Sequence, residues 1–126
     1  VGDSRAYLYQ SGQLTQLTKD HNVVNLLLDQ GEIQPEEAKT HPQRHMLTRA
    51  VGVERIVRPD YFEIHPEGAF KLLLCSDGLS GYCEEEEIQQ ILEQDLEAEA
   101  LADRLIALAL EKGGRDNVSV AVVTES

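Results

Sequence analysis

The sequence predicts an α+β domain in which helices pack on a mostly antiparallel sheet. Three observations carry that expectation. Residues 72–75 and 118–123 are short aliphatic runs, too short for helices and bounded by Gly, Asp or Asn. Residues 84–92 and 98–112 repeat their apolar side chains at helical spacing. The elements then run strand, strand, helices, strand, strand, two helices, strand.

Residues 6–10 and 13–18 alternate well enough for two strands, joined by the two-residue loop Ser11-Gly12. A helix is expected over residues 22–30, with Val23, Val24, Leu27 and Leu28 on one side and Gly31 at its C-terminal cap. Pro35, followed by Glu36 and Glu37, starts a second short helix that His41-Pro42 ends. Residues 43–51 read as a short helix under a mobile loop. Residues 57–65 read as a strand that Pro59 restricts to an edge or to a late start. Pro66-Glu67-Gly68 turns the chain into residues 72–75, expected as a strand buried on both faces. Glu84 opens a helix carrying Ile88, Ile91 and Leu92, and its acidic first turn complements the helix dipole. The longer helix, residues 98–112, places Leu101, Leu105, Leu108 and Ala109 on one face and ends at Gly113. Residues 118–124 form the last expected strand.

Acidic residues recur at the strand ends. Ser76-Asp77-Gly78 follows the strand at 72–75, Gly113-Gly114-Arg115-Asp116-Asn117 precedes the last strand, and Gly2-Asp3-Ser4-Arg5 precedes the first. One Asp-Gly pair alone marks only a turn, and Gly78 would let the chain take a positive φ there. Three strand-end carboxylates at one sheet edge would suit a hard cation such as Mg²⁺ or Mn²⁺, which takes oxygen ligands.

A net charge of −12 argues against nucleic acid or an anionic membrane as partner. Much of that charge is the run Glu84 to Glu87 and the helix after it, which reads as a solvated face. Cys75 and Cys83 lack paired metal-ligand spacing, and two reduced thiols in a cytoplasmic protein account for them most simply. No apolar run approaches membrane-spanning length. His41 and His45 lie four apart, but Pro42 between them disfavours a helix presenting both to zinc.

These stretches carry a resemblance. Val1-Gly2-Asp3-Ser4-Arg5-Ala6-Tyr7, Leu73-Leu74-Cys75-Ser76-Asp77-Gly78-Leu79 and Gly113-Gly114-Arg115-Asp116-Asn117-Val118 resemble successive signatures of the type 2C, metal-dependent serine/threonine protein phosphatases, in their bacterial branch. Between them, Leu17-Thr18-Lys19-Asp20-His21 and Leu47-Thr48-Arg49-Ala50-Val51-Gly52 agree in order. The resemblance covers nearly all of residues 1–126, as the C-terminal half of that domain. It implies an antiparallel β-sandwich flanked by helices, of which this chain holds about half.

The resemblance further implies that Asp77 and Asp116 are ligands of one of two catalytic Mn²⁺ or Mg²⁺ ions. Asp3, with Asp77, would serve a third, weaker ion. Asn117 and Gly78 would support the site, and Arg44, His45 and Arg49 would lie in a flap beside substrate. Asn117 reads equally well as a turn residue, and His45 as solvated surface. Metal-bound hydroxide would hydrolyse phosphoserine or phosphothreonine with no nucleophilic side chain. Phosphoproteins, a serine/threonine kinase among them, would be the substrates. The ligand bridging the two ions and the phosphate-binding Arg have no counterpart in these residues, so the chain alone is expected to be inactive. A non-catalytic interaction domain of the same fold is the alternative reading. Half a sandwich would leave a sheet face uncovered, from which a homo-oligomer is expected.

Overall fold

The computed structural model describes all residues, Val1–Ser126. The chain forms two compact units, one of residues Val1–Asp3 and Lys19–Phe62, the other of Ser4–Thr18 and Glu63–Ser126.

The second unit contains the sheet. Its strands β1 (Arg5–Gln10), β2 (Gln13–Gln16), β3 (Phe70–Cys75) and β4 (Val120–Glu125) are arranged in the order β2-β1-β3-β4, every pair antiparallel. Ser11 and Gly12 both take positive φ, 53° and 77°, as a two-residue hairpin loop matching the twist of its strands requires. The register sets Tyr7 beside Leu73, and Leu73 beside Val122. These side chains share one face of the sheet, on which three helices pack: α3 (Asp77–Ser80), α4 (Glu85–Leu92) and α5 (Ala98–Glu111). Tyr7, Leu73, Leu79, Ile88, Leu92 and Leu105 are fully buried in that core. Each such aliphatic side chain contributes about 1.5–3 kcal/mol by leaving water.

Both long helices end in an organised way. The Lys71 ammonium donates to the carbonyls of Leu92 (2.5 Å) and Gln94 (2.7 Å), just where α4 runs out of intrahelical donors. At the end of α5, Gly113 N–H reaches Leu110 O and Gly114 N–H reaches Ala109 O, with Gly113 at φ 114°. That is the paired closure glycine permits. A salt bridge from Lys112 to Glu87 (2.7 Å) ties the end of α5 to the first turn of α4.

The opposite sheet face differs from the expectation. Residues 70–75 are not buried on both faces: Leu73 and Cys75 are buried, whereas Leu74 is 46% exposed. Alternation puts Leu8, Leu72, Leu74 and Val123 on this second face, where no helix of the unit packs.

The expected strand at 57–65 is absent. Pro59 has no N–H to give, and the segment adds to neither end of the sheet, β2 or β4. The last strand begins at Val120 rather than residue 118, because Ser119 N–H bonds the Ser76 hydroxyl (3.0 Å) instead of a ladder carbonyl.

The first unit holds α1 (Val23–Asp29) and α2 (Pro35–Ala38). Asn22 caps α1, its Oδ1 accepting from Asn25 N–H at 2.8 Å, and Gly31 closes the helix at φ 72°. Residues 43–51 form no helix. Their backbone pairs with the entrance to α1 instead, Val23 N–H to Met46 O and Thr48 N–H to His21 O, each 2.8 Å, around a bridge between Asn22 and Leu47.

Candidate metal centre

Asp77 is the first residue of α3, directly after the buried end of β3. Gly78 and Leu79 behind it are buried, so the carboxylate stands on a fixed piece of backbone. Asp116 is exposed and lies between the glycine closure of α5 and the start of β4. Its Oδ1 accepts from Asn117 N–H at 2.7 Å, which orients the carboxylate and leaves Oδ2 its lone pairs.

Two segments far apart in sequence meet here. Ser76 N–H donates to Ser119 O (3.0 Å), and a Cβ placed on Gly78 would lie 2.1 Å from the carbonyl oxygen of Asn117. Asp77 immediately precedes Gly78 and Asp116 immediately precedes Asn117, so the backbones carrying both carboxylates run in contact. Gly78 does not use positive φ, as the sequence allowed. It is needed for close approach: any side chain would strike the opposing backbone. Asn117 likewise serves through its main chain at this contact.

Carboxylate oxygens suit a hard divalent ion, and the two acidic side chains fit such a ligand set in kind. No group of three or more His, Cys, Asp and Glu side chains is gathered closely enough to hold a metal. Two carboxylates alone do not complete the shell of such an ion.

Asp3 belongs to the first unit. Burial pushes its carboxyl above the usual range and nearby Asp20 adds to the rise, while its own backbone, Asn22 and His45 pull it back. Arg44 is exposed, its guanidinium donating to His41 O at 3.1 Å, and His45 is exposed beside it. His41 Nδ1 accepts from Gln43 N–H (3.0 Å), so that nitrogen is engaged within its own turn.

Sequence reasoning missed a charged cluster in this unit. The Asp60 carboxylate bridges two partners, with Oδ2 2.8 Å from His21 Nε2 and Oδ1 2.8 Å from Arg49 Nη1. Arg49 Nη1 also donates to Arg58 O at 2.8 Å. The guanidinium and then the imidazole hold the Asp60 carboxyl below the usual carboxylate range. His21 is buried, and its Nδ1 has no partner. His21 and Asp60 lie 39 positions apart and share no short-range pattern, so only the fold reveals the pair.

No protein-family profile matches the chain. Individual proteins do. The chain is 45% identical over 123 residues to "Serine/threonine phosphatase stp" of Listeria monocytogenes, covering 98% of this chain and 49% of that protein. It is 47% identical over 122 residues to "Serine/threonine protein phosphatase PstP" of Mycobacterium tuberculosis, covering 97% of this chain and 23% of that one. The crystal structure of the M. tuberculosis phosphatase PstP/Ppp superposes with a TM-score of 0.89 at 45% identity, over 97% of this chain and 51% of the other. A structure of the PstP catalytic domain in complex with two manganese ions matches with a TM-score of 0.80 at 44% identity, over 97% and 50%. The chain thus spans about half the length of the Listeria relatives it matches. In sequence and in fold alike, it belongs to the PPM family of bacterial serine/threonine phosphatases, and it matches the C-terminal half of their domain.

Proposed function

We propose that this chain forms the C-terminal half of a metal-dependent protein phosphatase acting on phosphoserine and phosphothreonine. The observation that carries the reading is the contact between Gly78 and Asn117, which sets Asp77 and Asp116 on adjoining backbones. Asp77 and Asp116 would hold one Mn²⁺ or Mg²⁺ ion, and Asp3 would contribute to a weaker, third one. A pair of divalent ions, when bound, makes hydroxide available at neutral pH and offsets charge on the phosphoryl oxygens.

The protein's own part is positional. The backbone of Asp77 is held by the buried helix start behind it, and the Asp116 carboxylate by the N–H of Asn117. Arg49 keeps Nε and Nη2 for an anionic phosphoprotein, while Nη1 is fixed by Asp60 and Arg58. Arg44 and His45, exposed in the same unit, would face substrate with it. Phosphoproteins, including an opposing serine/threonine kinase, are the proposed partners. Two buried cysteines that form no disulfide favour a reducing compartment such as the cytoplasm, and no helix is long and apolar enough to cross a membrane.

The test uses the complete phosphatase domain containing these residues and a phosphothreonine peptide. Mn²⁺-dependent release of phosphate should fall by about 100-fold or more in Asp77→Asn, the scale on which losing an electrostatic group in the transition state is felt. The 126-residue chain alone, with no third ligand gathered beside the pair, should show little turnover. Undiminished activity of Asp77→Asn would remove the reading.

A further inference from the structure

We propose that Ser76 is a positioning residue: its hydroxyl holds the Asp77 segment against the Asp116 segment and so tunes which divalent ion the two carboxylates accept. The inference rests on the metal reading above and adds the group that spaces the pair.

The register that sets Cys75 opposite Val120 carries on to set Ser76 opposite Ser119. In an antiparallel ladder, a hydrogen-bonded pair exchanges two bonds, each residue giving its N–H to the other's carbonyl. One half of that exchange is present here, from Ser76 N–H to Ser119 O at 3.0 Å. The other half is blocked. The Ser76 carbonyl is turned into α3, where it accepts from Leu79 N–H (3.1 Å) and Ser80 N–H (3.4 Å). Ser119 N–H donates instead to Ser76 Oγ, also at 3.0 Å. A serine at a helix N-cap ordinarily offers its oxygen to the first turn of its own helix, and Ser76 makes no such bond. Its hydroxyl stands in for the missing ladder carbonyl. The chain can therefore pass from β3 into α3 within one residue while the facing segment stays paired.

Asp77 lies between two contacts with that facing segment. On one side Ser76 holds Ser119 by two bonds, and on the other Gly78 abuts the carbonyl oxygen of Asn117. Asp116 is the next residue beyond Asn117. Without the hydroxyl, one of the two bonds to Ser119 is lost and residues 116–119 gain freedom to shift against α3. Ser119 is exposed, so water takes over its N–H and the fold survives. What changes is the spacing of the carboxylates. Mg²⁺ demands near-ideal octahedral ligands, whereas Ca²⁺ accepts irregular ones. A loosened pair therefore loses Mg²⁺ more than Ca²⁺.

The resonance of free Mn²⁺ measures binding to the complete chain, with Mg²⁺ and Ca²⁺ as competitors. Ser76→Ala should weaken Mn²⁺ and Mg²⁺ about tenfold, the low end for a group that supports metal ligands. Ca²⁺ should weaken by no more than about threefold. Ser76→Thr, which retains the hydroxyl, should keep the wild-type preference. So should Ser119→Ala, because Ser119 acts through its main chain. Ser119→Pro deletes the same bond from the donor's side, at a position before an end strand where Pro is tolerated. It should reproduce Ser76→Ala, and the double variant should lose no more than either alone. In EDTA, the Ser119 amide should exchange about tenfold faster in Ser76→Ala than in wild type.

Mn²⁺ binding that Asp77→Asn abolishes and Ser76→Ala leaves intact would overturn the proposal and spare the metal reading. An equal loss of all three ions in Ser76→Ala, or a loss that Ser76→Thr shares, would also overturn it. A wild type that binds Mn²⁺ no better than Asp77→Asn would remove the metal reading itself, and the proposal with it.

Discussion

A methyl group on Gly78 would stand 2.1 Å from the carbonyl oxygen of Asn117, closer than any real non-bonded contact. The two segments cannot part without breaking the paired bonds between Ser76 and Ser119 beside them. Gly78→Ala should therefore destabilise the sheet unit by about 3 kcal/mol or more, at the high end for overpacking. Urea denaturation measures it, and a loss below about 1 kcal/mol would mean that the turn can relax.

Metal should stabilise the folded chain through that same edge. Mn²⁺ added in excess of its dissociation constant raises the melting temperature by linkage, by more at higher concentration. Asp77→Asn should lose most of the shift and Asp3→Asn only part of it. Thermal melts of the three proteins with and without Mn²⁺ decide this. Equal shifts in wild type and Asp77→Asn would show that β3 does not end in a metal ligand.

The open face of the sheet makes a separate prediction. Leu72, Leu74 and Val123 face away from the helices, with Leu74 and Val123 about half exposed. Sedimentation should find the chain self-associating, and Leu74→Glu should drive it toward monomer by placing a charge on that face. A wild type monomeric at all concentrations contradicts it.

Acid should loosen the protein in a defined order. The carboxyl of Glu87 is lowered chiefly by its bond to Lys112, and that of Asp60 chiefly by its bond to Arg49. Groups with depressed folded values contribute stability that is present above their ordinary values of 4.5 and 3.8 and is lost as pH falls through the folded ones. Asp3, whose value is raised, runs the other way: its burial costs stability as pH rises past 3.8. Melting temperature should therefore fall from pH 5 to pH 3, with a shallower slope in Glu87→Gln. An identical slope in that variant would dismiss the ion pair as a contributor. At the alkaline end, Lys112, raised chiefly by Glu87, keeps its contribution until pH passes its own elevated value.

The parts of this protein legible in its sequence are those written in local periodicity and in turn chemistry. The hairpin at Ser11-Gly12, the cap at Gly31 and the helix ending at Gly113 follow from residue types within a few positions of each other. The strand expected at 57–65 does not form: Pro59 cannot donate to a ladder, and these residues join neither end strand of the sheet. The burial of Leu74 could not be read from its run for a related reason: an aliphatic strand reads the same whether one face or two are covered. At the site, the acidic residues at the ends of β3 and before β4 stood out by position. The bridge from Asp60 to His21 and Arg49 did not, since each residue has an ordinary local context and the pairing is made only by the folded loops.

The register of the central strand carries a consequence for synthesis of the chain. Phe70 lies opposite Glu125, and Cys75 opposite Val120. While residues 120–125 are still inside the ribosome, β3 can hydrogen-bond only to β1, and its other edge is bare. For the time taken to translate α4, α5 and the glycine turn, a few seconds at about 5–20 residues per second, the nascent chain presents an aliphatic edge that a neighbouring polypeptide could fill. A pause after residue 75 would lengthen that exposure, so aggregation during expression should respond to translation speed downstream of β3 more than upstream of it.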